Sequence, residues 1–170
     1  MSKAPHVRFL DRTTPPHIAT LILMAGVGAL SLNVFLPSLP SMAVHFGVDY
    51  SLMQLSVSLY LATTAVVQIL IGPISDRYGR RPIVLVTVSI FVLASIGAVY
   101  APNFTTFLIF RLLQTSIATA FVISRAIVRD MVPQDQAASM IGYVTMGMSV
   151  APMLGPAVGG LLDQAFGWQA

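Results

Sequence analysis

Arg111 is a cation set within an apolar run, and a guanidinium in such a place needs a partner or a cavity. Its fan of N–H donors suits recognition of acceptor groups, not the making or breaking of bonds. Gln114 follows three residues later and shares its face on a helix, adding an amide that donates and accepts. Asn33 lies in another apolar run. At 1.5 Å per residue, Arg111 falls about 10 Å from the start of its run and Asn33 about 22 Å along its own, opposite-running one. In a ~30 Å hydrocarbon layer the two reach similar depth. An Asn33–Arg111 hydrogen bond follows as an expectation. It serves either as a structural clamp between helices or as part of a substrate cavity, and one residue can do both. Gln54 and Gln68, toward the ends of a further run, are weaker candidates.

Two other groups carry information. Between Gly72 and Pro82, Asp76 stands among Arg77, Arg80 and Arg81, with Gly79 in the turn. A carboxylate at a helix end among arginines suits a charge network that holds one conformation and releases another. The plain alternative is a basic turn that fixes topology. Near the end of the chain Gly147, Ala151, Gly155 and Gly159 recur every four residues, a ridge that lets another backbone approach closely. Pro152 and Pro156 interrupt the hydrogen-bond ladder of the same helix and predict a bend.

These groups must be held by elements suited to lipid. Of 170 residues, 56% are hydrophobic and 9% charged, against roughly a quarter charged in an average soluble domain. A span takes about 20 residues, so the length holds five with short connections. The apolar stretches run over about 18–42, 52–74, 82–100, 105–128 and 137–162, after a polar, proline-containing tail at 1–17 that predicts flexibility. No strand-like alternation occurs, so an all-α membrane protein of about five transmembrane helices is expected over 18–170. The first run is too long for a signal-peptide core.

Lys3, Arg8 and Arg12 in the tail, Arg77, Arg80 and Arg81 after the second run, and Arg125 and Arg129 near the end of the fourth mark every second connection. The positive-inside rule then places the amino terminus in the cytoplasm and the carboxyl end outside, with Trp168 at the interface. With no cysteine, disulfides and thiolate metal sites are excluded, and neither metal nor cofactor is expected. His6, His17 and His45 are scattered, and Asp49 and Asp163 stand alone, which argues against an enzyme. The arginines sit at membrane boundaries without interleaved aromatics, so nucleic acid finds no support.

On these residues a resemblance can be stated. Gly72-x-x-x-Asp76-Arg77-x-Gly79-Arg80-Arg81 resembles the loop 2–3 signature of the major facilitator superfamily. Arg111-Leu112-Leu113-Gln114, followed by Arg125 to Asp130, is similar to the helix-four signature of its proton-coupled members. The stretch Ala151-Pro152 through Gly155-Pro156 to Gly159-Gly160 resembles the helix-five antiporter motif. Leu36 to Pro40, with Gln54, Tyr60 and Gln68, resembles the bicyclomycin/chloramphenicol-resistance (Bcr/CflA) drug-efflux branch.

The resemblance implies two six-helix halves around a central cavity and alternating access by rocking. It implies a cytoplasmic latch built on Asp76 and its arginines, proton coupling through Arg111, and a contact between halves lined by the helix-five motif. Drug-like substrates exported against protons across a bacterial inner membrane follow from it too. Three departures stand out. Asn33 replaces an aspartate usual in that branch, and an amide cannot carry a proton; no other carboxylate is expected deep in the five spans. Thr115 stands where glycine is usual after Gln114, which predicts looser packing of helix four. The sequence ends after helix five, a partial half-bundle, so transport by this polypeptide alone is not expected without a missing half or partner chain. The alternatives are part of a metabolite importer, or a non-transporting membrane protein that associates through the small-residue ridge.

Overall fold

Long apolar segments become helices in lipid because a helix satisfies its own backbone donors and acceptors. The computed structural model describes residues 16–169; the tail carrying Lys3, Arg8 and Arg12 lies outside them. Among the described residues seven α-helices follow in order: α1 Ile18–Asn33, α2 Leu39–Phe46, α3 Tyr50–Tyr78, α4 Arg80–Val99, α5 Phe104–Leu113, α6 Ala118–Met131 and α7 Gln134–Phe166. A 3-10 turn at Leu36–Ser38 joins α1 to α2, and another at Gln114–Ile117 joins α5 to α6. The pairs merge into single spans, giving five helices long and apolar enough to cross a membrane: Ile18–Phe46, Tyr50–Tyr78, Arg80–Val99, Phe104–Met131 and Gln136–Phe166. Among the described residues there is no strand.

The helices outrun the apolar stretches. Ser75, Asp76 and Arg77, expected in a loop, complete the last turn of α3, and α4 starts at Arg80. Gly79 alone separates them, at φ 88° and ψ 149°, a conformation that side chains rarely adopt. At the far end α7 runs on to Phe166 and stops at Gly167 (φ 83°), whose N–H donates to the Asp163 carbonyl at 2.9 Å. It also continues through Pro152 and Pro156, which lie on its exposed face, where a lost backbone bond disturbs no packing.

Contacts define two ends. Arg80 bonds Asp130, so the α3–α4 turn and the end of α6 share one end, the basic end. At the opposite, aromatic end Phe46 and Trp168 pack within 5.4 Å of each other, and Phe107 lies 5.2 Å from Phe46. One apolar cluster sits there, with Leu39, Met42, Met53 and Phe107 buried. A second gathers Leu21, Ala25, Val128 and Val144, where α1 meets α6 and α7. Large side chains such as Leu93, Met153 and Leu161 point outward, as a surface solvated by lipid tails requires.

Candidate functional site

Arg111 is 3% exposed. Its guanidinium carbon lies 4.0 Å from the ring centroid of Phe35 and 4.3 Å from that of Tyr60. Desolvated cation–π contacts of this kind stabilise by about 2 kcal/mol each. Nη1 donates to Gln114 Oε1 at 2.7 Å and Nη2 to the Ser31 carbonyl at 3.3 Å, while Nε has no hydrogen-bond partner among the described residues. Gln114 Nε2 in turn donates to Ser95 Oγ at 3.0 Å, and Ser95 donates to the Phe91 carbonyl at 2.8 Å. A run of hydrogen bonds thus crosses from α5 to α4, and the arginine fixes which way the Gln114 amide points.

The predicted Asn33–Arg111 bond is absent. Asn33 Nδ2 donates to the Ala29 carbonyl one turn back at 2.7 Å, and the side chain faces α7 at Gly155. Arg111 instead reaches helix one at Ser31. Depth along a span says nothing of which way a side chain turns around its helix. Thr115 fills its place rather than loosening it: the residue is 2% exposed and its hydroxyl donates to the Leu112 carbonyl at 2.6 Å. The helix tightens into the 3-10 turn here.

Arg111 and Gln114 line a cavity of about 350 Å³ with Ser31, Phe35, Ser95, Phe107 and Trp168. Asn33 is not on its wall, but Asp163 is. That carboxylate, expected to stand alone beyond the fifth run, lies in the last turn of α7. The signal for it was Gly167, whose position after an apolar helix marks a C-terminal stop and carries the helix past 162. Gln68 borders a smaller cavity beside Tyr60, and Gln54 is exposed.

At the basic end Arg80 is the hub. Its Nε meets Asp130 Oδ2 at 2.6 Å, Nη2 meets Asp76 Oδ1 at 3.1 Å, and Nη1 donates to Ser75 Oγ at 3.4 Å. Asp76 and Asp130 are more than half exposed, so each pair contributes about 0–1 kcal/mol. Such a network orients three helix ends and breaks easily. Arg77 and Arg81 are exposed and form no ion pair among the described residues. Gly72 meets open space where a Cβ would stand.

The helix-five motif divides between two faces. Ala151, Gly155 and Gly159 are buried, while Pro152 and Pro156 are exposed. A Cβ on Gly155 would lie 2.7 Å from Asn33 Cβ, one on Gly159 would strike the Val34 carbonyl, and Gly147 abuts Ile22. The ridge, expected to take another backbone at close range, is filled by α1 of this chain. Gly160 is half-buried beside Pro37.

The family model for the Major Facilitator Superfamily matches residues 21–170. The chain belongs to the major facilitator superfamily. It is 35% identical over 151 residues to multidrug resistance protein D of Escherichia coli (strain K12), covering 88% of this chain and 38% of that protein. It is 34% identical to a chloramphenicol resistance protein of Pseudomonas aeruginosa, covering 89% and 38%. With multidrug resistance protein MdtM of E. coli (strain K12) the identity is 33%, covering 95% and 40%. The chain thus spans about two-fifths of the length of these relatives. Membership in this transporter superfamily makes it an integral membrane protein with part of a transporter fold, and its similarity runs to drug-resistance members.

Proposed function

We propose that these helices form the amino-terminal part of a proton-coupled exporter of drug-like molecules. It would lie in a bacterial inner membrane with the amino terminus and the basic end in the cytoplasm. It is a carrier and not a catalyst. The observation that carries the reading is Arg111, a buried cation held by two rings on the wall of a cavity. A guanidinium keeps its proton in proteins, so Arg111 acts through its field. In a low dielectric that field favours an ionised acid or an acceptor group in the cavity and loses its hold when the acid is protonated. Proton uptake and substrate release are linked in this way.

Further support comes from what the chain leaves unmatched. Arg77, Arg81 and the open space at Gly72 suit the opposing half of a carrier, which the latch would grip and release. On this reading the five helices alone do not transport.

Grafting residues 18–169 in place of the matching segment of E. coli multidrug resistance protein D supplies that half. In proteoliposomes the chimera should move a cationic dye in response to a proton gradient, and Arg111→Ala should abolish the response. Dye movement indifferent to the gradient, or to Arg111, contradicts the reading.

A further inference from the structure

Asp163 has no explanation in the stability of its own helix. It occupies the last turn of α7, where the helix dipole presents negative charge and a carboxylate is of the wrong sign. It is half-buried and forms no ion pair among the described residues. Its one side-chain partner among the described residues is the Ser41 hydroxyl, 2.9 Å from Oδ1 and 2.8 Å from Oδ2. That hydroxyl also lies 3.0 Å from the Ser38 carbonyl, and its single hydrogen serves one acceptor at a time. A carboxylate with so much spare acceptor capacity, half-buried against a cavity wall, suits a cation.

The surroundings suit an organic one. Asp163 shares its cavity with the aromatic side chains of Phe35, Phe107 and Trp168; rings attract cations through their quadrupoles, as Arg111 over Phe35 already shows. Arg111 does not fill the role. It is level with Ser31, ten residues before Ser41 on span one, or roughly 15 Å by helical rise, and is held by its own partners. Its Nε, buried and unpartnered among the described residues, suits a second contact, an acceptor group at the inner end. The cavity volume of about 350 Å³ suits one small ligand.

We propose that Asp163, with Ser41 and the aromatic wall that includes Trp168, is a binding subsite for an organic monocation at the aromatic end of the cavity. Its ligands carry a quaternary or protonated nitrogen on an apolar frame, and a hydrogen-bond acceptor on the side facing Arg111 would strengthen their hold without being required for it. The inference rests on the carrier reading of the same cavity and adds the residue that selects charge.

Trp168 is the chain's single tryptophan and lines this cavity, so its emission reports occupancy directly. The test uses the 170-residue chain in nanodiscs of phosphatidylcholine, titrated with N-methylquinolinium, a monocation that quenches indole. Saturable quenching is expected for the wild type and equally for Asp49→Asn, which removes an exposed carboxylate elsewhere. For Asp163→Asn the midpoint should rise by at least about tenfold, as loss of a charge pair in a partly desolvated site requires. Asp163→Glu keeps the charge and should stay much nearer the wild type, which guards against a folding defect in the amide variant. Quenching of the wild type that does not saturate overturns the subsite, as does an Asp163→Asn midpoint within about twofold of the wild type. A Glu variant as weak as the Asn variant overturns it too. None of these outcomes touches the carrier reading, which stands or falls on gradient-driven flux through the chimera.

Discussion

Asn33 shows what a single atom decides. Its amide nitrogen donates to the Ala29 carbonyl at 2.7 Å, the bond that a protonated aspartic acid would make from the same place. Asn33→Asp would keep that bond while protonated and lose it on ionisation, when two acceptors face each other. The contribution is therefore present at low pH and lost as pH rises. The melting temperature of the variant relative to wild type should fall as pH rises, by the equivalent of about 1–3 kcal/mol at most for an unsatisfied acceptor at this half-buried position. A difference that does not change with pH would remove Asn33 as the place where an acid couples to the helix. Arg111 and Gln114 were legible because charge and amide in an apolar run, three residues apart, have few uses. Asn33 misled because its neighbour across the helix interface, Gly155, is 122 residues away and no local pattern reveals it. Asp163 was passed over because hydropathy falls before the helix does.

Among elements, α1 and α7 depend on glycine more than any other pair. Gly159 lies where a Cβ would strike the Val34 carbonyl, a backbone atom that cannot rotate aside. Gly159→Ala is expected to lower stability by about 1–3 kcal/mol through overpacking. Gly72→Ala, in open space, is expected to stay within about 0.5 kcal/mol, both read as melting in detergent. Equal effects at the two sites would contradict the packing described. The four-residue spacing made the ridge legible, but its partner was not, since a ridge carries no label for the helix that fills it. The same limit applies to Arg80: its turn was recognisable, yet Asp130, 50 residues on, emerges as its strongest partner only in three dimensions. The breaks at Leu36–Ser38 and Gln114–Ile117 were hidden because hydropathy runs straight through them.

For the whole molecule, the five spans were read from apolar length alone, and length is what a bilayer selects. The arginines at alternate connections support the direction proposed above, with the Arg77–Arg81 end in the cytoplasm and the Phe46–Trp168 end outside. Which side of the membrane the basic end and the aromatic end face depends on that alternation. Because the chain holds no cysteine, single-cysteine variants report position without a background. Tyr78→Cys and Pro102→Cys place one exposed thiol at each end. In intact cells a membrane-impermeant maleimide should modify Pro102→Cys and leave Tyr78→Cys untouched until the membrane is opened. Modification of both from the same side would contradict the threaded arrangement.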